Sequence, residues 1–122
     1  GMIDNAQALV DDGLAACPLH FDFVMGNRGS QPATARQLVL LAESIPVDAT
    51  WSVAGLGRHQ LPMGVLAMGM GGHVRVGLED NLYYRRGELA RNEQLVARMA
   101  RIATEAEREV ASPEVARQLL SL

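Results

Sequence analysis

Three short segments of this chain alternate in side-chain character with a period of two, and each is followed by residues at helical spacing. The first runs from Leu19 to Met25, with Leu19, Phe21, Phe23 and Met25 on one side and His20, Asp22 and Val24 on the other. The second runs from Thr50 to Ala54 and sets Trp51 and Val53 against Thr50, Ser52 and Ala54. The third, His73 to Glu79, sets Val74, Val76 and Leu78 against His73, Arg75, Gly77 and Glu79. A period of two predicts strands, and strands separated by helices must be parallel neighbours reached by right-handed crossovers.

The intervening helices carry their own signals. Ile3, Ala6, Leu9 and Val10 predict an opening helix that Gly13 closes. Thr34 and Gln37 form a capping box before Leu38, Leu41 and Ala42, and Pro46 ends that helix. Leu61 to Met70 reads as a buried, glycine-dotted helix, and Asn92 is the expected cap of a longer one with Leu95, Val96, Met99 and Ile102 on its apolar stripe. Ser112 and Pro113 then start a last short helix. The expected order is α-β-α-β-α-β-α-α in a single unit spanning residues 1–122, with Gly1 read as a tag remnant before Met2.

Strands of a parallel sheet are buried on both faces and read as continuous apolar runs. These three each keep a polar or small face. In a doubly wound sheet that face would meet helices, where unpaired polar groups are costly. In a (β/α)8 barrel it points into the barrel, where polar groups at the strand C-terminal ends build the active site. The barrel accounts for the pattern better.

Composition narrows the chemistry. Net charge is −3, and all 11 cations are arginine, so nothing electrostatic points to nucleic acid or an anionic membrane. Without lysine, Schiff-base, P-loop and pyridoxal chemistry by this chain's own side chains are excluded. The single cysteine, Cys17, cannot form an internal disulfide, and a reduced, cytoplasmic setting is the expectation. The longest stretch free of Arg, Asp and Glu, His59 to Val74, is shorter than the ~20 apolar residues a membrane span needs.

The constellation with most chemical content ends the third strand. Arg75 and Glu79 share the inward face, which suits anion binding by the guanidinium and metal ligation by the carboxylate, or equally a structural ion pair. Gly55-Leu56-Gly57-Arg58 begins like a dinucleotide fingerprint but lacks the third glycine, so an ordinary turn between strand and helix is expected. His20, His59 and His73 show no metal-ligand spacing; His20 is expected to pair with Asp22 and His73 to be hydrogen-bonded in the core.

The segments His20-Phe-Asp-Phe-Val-Met-Gly26, Ala49-Thr-Trp-Ser-Val-Ala-Gly-Leu-Gly-Arg58 and Gly72-His-Val-Arg-Val-Gly-Leu-Glu-Asp-Asn81 resemble the β-keto acid cleavage enzymes. The resemblance extends from about residue 3 to the closing Ser112-Pro113-Glu114 helix. It implies a zinc-dependent (β/α)8 TIM barrel that reacts a β-keto acid with acetyl-CoA to give acetoacetate and a new acyl-CoA. By resemblance Glu79 is a zinc ligand, Arg75 orients the acid, Asp80 is the catalytic carboxylate, and Ser52 and Arg58 line the mouth. The loop Gly26-Asn-Arg-Gly-Ser-Gln31 departs from the Gly-Val-Pro-Gly-Gly of that family, and its His-x-His metal pair has no counterpart here. The match covers only the last three βα units and C-terminal helices of such a barrel, ~120 of roughly 250–300 residues. The expectation is a partial barrel whose open edges favour a homo-oligomer and which, alone, binds zinc weakly and is inactive.

Overall fold

The computed structural model describes residues 1–122. Helix α1 (Met2–Asp11) opens the chain, and Gly13 follows it at φ 71, the left-handed conformation in which helices end at glycine. Then come β1 (His20–Met25), α2 (Ala35–Ser44), β2 (Thr50–Gly55), a 3₁₀ turn (Gly57–His59), α3 (Gln60–Gly69) and β3 (His73–Val74). The three strands pair in parallel in the order β1-β2-β3, as the alternation of strands and helices requires. Thr34 caps α2 as expected, its Oγ1 accepting the Gln37 N–H at 3.2 Å.

One face of this sheet is the core. Phe23, Met25, Trp51 and Val53 pack there against Leu38 of α2 and Met63 and Ala67 of α3. Gly72 lets the chain into β3 pass close to the Trp51 indole, for a Cβ there would stand 2.4 Å from the ring. The opposite face presents His20, Asp22, Thr50, Ser52 and His73, and no strand or long helix covers it. Only the C-terminal segment approaches, leaving a cavity of about 230 Å³ lined by His20, Ser52, His73, Ala111, Ala116 and Leu119 among others.

The third strand is shorter than the alternation predicts. Only His73 and Val74 pair with β2, opposite Ser52 and Val53. The Arg75 N–H still reaches the Val53 carbonyl at 3.0 Å, but β2 ends at Gly55, where the Leu56 N–H bonds back to Met25 O at 2.9 Å. With no partner beyond that point, the chain turns, and the Asp80 and Asn81 N–H groups both donate to Gly77 O.

A second departure follows. Residues between this turn and the next helix form an antiparallel hairpin, β4 (Tyr83–Arg85) and β5 (Glu88–Leu89), which the sequence reading did not anticipate. Its two-residue loop, Arg86-Gly87, uses Gly87 at φ 80 for the left-handed turn position. Helix α4 (Asn92–Glu105) is capped by Arg91, whose N–H donates to Gln94 Oε1 at 2.8 Å. Asn92, expected as the cap, instead accepts the Leu78 N–H on Oδ1 at 3.2 Å and so ties the helix start to the turn after β3. The last helix, α5 (Pro113–Leu119), begins as read: Ser112 Oγ accepts the Val115 N–H at 3.3 Å. Arg108 anchors the segment between them by donating to the carbonyls of Met68 and Gly72, each at 2.9 Å.

The architecture is therefore mixed α/β with a parallel sheet, helices on one face and polar groups on the other. No helix is long and apolar enough to cross a membrane.

Candidate functional site

The polar face gathers its charge beside β1 and just past the end of β3. The β1–β2 register sets Asp22 opposite Ser52, and the β2–β3 register sets Ser52 opposite His73. Arg75, two residues beyond His73, therefore emerges beside Asp22 although 53 positions separate them. Its Nη1 donates to Asp22 Oδ2 at 2.7 Å. Its Nη2 donates to Asp80 Oδ1 at 2.9 Å and to Glu79 Oε2 at 3.2 Å, and Nε donates to Asp80 Oδ2 at 3.3 Å. Three carboxylates thus surround one guanidinium. The Asp22 hydrogen bond, followed in weight by the desolvation that opposes it and the bonds to Asp80, leaves Arg75 above the ordinary arginine value.

The carboxylates differ in exposure, and that difference sorts their capabilities. The Asp80 side chain is 3% exposed and Glu79 is 82% exposed. Asp80 is held as an oriented acceptor by a two-point contact from Arg75. Glu79 can leave Arg75 without stranding a buried charge, so it is free to bind something else. It pairs with Arg75 at 3.2 Å while its side chain stays exposed.

Ser52 joins the cluster through Asp22: its Oγ donates to Asp22 Oδ1 at 2.6 Å. His20 does not pair with Asp22 as expected. Its Nδ1 lies 2.8 Å from Thr50 Oγ1 and its Nε2 3.2 Å from Ser52 Oγ, because neighbouring strands bring these hydroxyls closer than a residue two places along the same strand. His73 is not a core residue either. It stands beside His20, ring centroids 6.3 Å apart, and borders a cavity of about 510 Å³ with Ser52, Arg75 and Arg108. Burial first, then the charges of Arg108 and His20, holds its imidazole below the ordinary value.

Arg58 is not brought to this cluster. It lies on the 3₁₀ turn after β2, with Nε 3.3 Å from His59 Nε2, and borders a different cavity. The glycines before it have steric reasons: a Cβ on Gly55 would meet the His59 carbonyl oxygen at 2.4 Å, and Gly57 sits at φ 54. Asp22 is the member of this cluster that the sequence reading left without a site role. Its signal was available in the expected pairing of β1 with β2, which lines it up with Ser52 on the polar face.

No group of three or more His, Cys, Asp or Glu side chains here is placed to hold a metal ion. Glu79 can offer one ligand, and these residues alone do not fit a zinc ion.

The model of the beta-keto acid cleavage enzyme family matches residues 1–122, and the chain belongs to that family. It is 54% identical over 123 residues to the 3-keto-5-aminohexanoate cleavage enzyme of Fusobacterium nucleatum, with 100% of this chain and 44% of that protein covered. It is 46% identical to the enzyme of that name from Acetoanaerobium sticklandii, covering 99% of this chain and 45% of the relative. With the 3-oxoadipate:acetyl-CoA acetyltransferase of Cupriavidus necator it shares 38% identity, over 99% of this chain and 44% of the relative. The chain therefore spans less than half the length of these curated relatives.

Proposed function

We propose that this chain carries part of the active site of a (β/α)8-barrel enzyme that transfers acyl groups between a β-keto acid and acetyl-CoA, yielding acetoacetate and a new acyl-CoA. The observation that carries the reading is Arg75, just past the C-terminal end of β3, held between Asp22 of β1 and Glu79 and Asp80. The names of relatives, acetyl-CoA transferases among them, support the substrates. The single-sided burial of the sheet supports the barrel, whose interior such a face would line.

In this reading Arg75 binds the carboxylate of the β-keto acid, using the Nη2 face that Glu79 vacates. Asp80, oriented by Arg75, accepts the proton whose removal begins carbon–carbon bond formation, and cleavage follows in the retro-Claisen sense. Ser52 keeps Asp22 aimed at Arg75 and so holds the guanidinium in place. Glu79 is the one zinc ligand we assign to this chain, the others coming from a longer polypeptide, since this sequence has no His-x-His pair to lend from a second copy. Further strands would close the polar face, and in the chain alone a homo-oligomer is the simplest form of that closure.

The test uses the complete protein that carries these residues, assayed for zinc content and for acetyl-CoA-dependent loss of β-keto acids. Glu79→Gln should lose bound metal. Asp80→Asn should keep it and lose about 10²–10⁴-fold in turnover, the range of general-base catalysis. Full zinc in the first variant would overturn the ligand assignment. The isolated 122 residues should show neither stoichiometric zinc nor turnover; a complete protein that is also inactive would favour a non-catalytic, self-associating fragment.

A further inference from the structure

The cavity that Arg58 borders has no part in the chemistry above, and its charge is unlike that of the rest of the molecule. It encloses about 990 Å³ beneath the β4–β5 hairpin and is lined by Arg58, Arg85, Arg86 and Arg98, with no acidic side chain among its lining residues. The chain as a whole is −3. The four arginines come from three places in the fold: the 3₁₀ turn after β2, the hairpin and α4. Only Arg85 has a carboxylate within ion-pairing distance, Glu88 at 2.5 Å. Arg98 is buried, donates to the Tyr84 carbonyl, and lies over the Tyr84 ring at 3.4 Å from its centroid. The guanidinium groups of Arg98 first and then Arg101, acting on the Tyr84 side chain, hold its phenol below the ordinary value.

Bringing four guanidinium groups around one space with a single carboxylate, Glu88 on Arg85, costs repulsion, which a bound polyanion removes. Arginine's planar fork is suited to phosphate oxygens. The cavity also adjoins the Arg75 cluster. Asn81 lines it while Asp80, the next residue, binds Arg75, and Gly57, another lining residue, donates its N–H to Asp80 O at 2.8 Å. One turn of chain separates the two sites.

We propose that this cavity receives the phosphate-bearing nucleotide end of the CoA thioester, whose acyl end reaches Arg75 and Asp80 over the Asp80–Asn81 turn. The proposal rests on the acyl-transfer reading above. Tyr83, 51% exposed at the rim, offers a ring face on which the purine can stack.

Two measurements on the complete protein separate this proposal from the reading beneath it. Calorimetric titration with adenosine 3′,5′-bisphosphate should show binding that weakens with added salt and falls about tenfold in Arg86→Ala and in Arg58→Ala, one charged contact each. In turnover, the same variants should lower the preference for acetyl-CoA over acetyl-pantetheine, which lacks the nucleotide, by about tenfold, and mainly through KM. Arg86 is an exposed hairpin residue, so its replacement does not threaten the fold. Activity with an unchanged preference and unchanged bisphosphate binding would overturn the cavity assignment and leave the acyl-transfer reading standing. Bisphosphate binding that both variants weaken, in a protein without turnover, would keep the phosphate site and remove the acyl-transfer reading. Equal affinity for pyrophosphate and the bisphosphate would overturn the nucleotide end as the occupant.

Discussion

The two faces of the three-stranded sheet are built from alternate residues of the same strands, yet they do opposite work. On one, Phe23, Met25, Trp51 and Val53 are sealed under α2 and α3. On the other, Asp22, Ser52, His20 and Arg75 satisfy one another sideways across strands, through hydrogen bonds of 2.6 to 3.2 Å, and stay open to a ligand. The comparison teaches that stability and chemistry are separable here by parity alone. A side chain shifted by one position changes from structural to chemical duty.

That division can be broken or sharpened by substitution. The largest stability loss should come from the apolar face. Met25→Ala, at a side chain with 0% exposure, should cost about 2–5 kcal/mol in denaturant unfolding of the complete protein. A loss under 1 kcal/mol would mean this face is not the core we describe. Gly72→Ala comes next, because the new methyl group must displace the Trp51 ring rather than a flexible side-chain end. It should cost about 1–3 kcal/mol and change the tryptophan fluorescence, Trp51 being the sole reporter.

On the polar face the same size of cut should do less to stability and more to function. Ser52→Ala removes the donor to Asp22 and the neighbour of His20, a loss of about 1 kcal/mol. Its sharper readout is a drop in affinity for the carboxylate substrate, since Asp22 then holds Arg75 less firmly. Unchanged affinity would detach Ser52 from the site.

The smallest effect is a matter of pH. His73 binds its proton less readily folded than unfolded, its ordinary value being 6.5. Above that value it is neutral in both states and contributes nothing. As pH falls below it, the unfolded chain takes up the proton first, so stability declines until the folded-state value is passed. In His73→Gln the decline over this window should be shallower than in the parent, with identical stability at pH 8. A steeper decline would reverse the sign and place a stabilising anion beside the imidazole.

What the residues determined alone was considerable: three parallel strands in sequential order, the Thr34 and Ser112 caps, the Gly13 helix end, and Arg75 with Glu79 as one charged pair. Each rests on spacing within a few residues, where local geometry has one solution. Tertiary structure decided the rest. It cut β3 short at Val74, because a strand lasts only as long as its neighbour offers carbonyls, and β2 ends at Gly55. It folded Tyr83 to Leu89 into a hairpin too short to show a period. It moved Asn92 from cap to clamp, sent Arg58 to a second cavity, and gave Arg75 its shortest bond to Asp22, a residue 53 positions away. Contacts between distant segments depend on register and on where neighbouring strands stop, and neither quantity is written in any one segment.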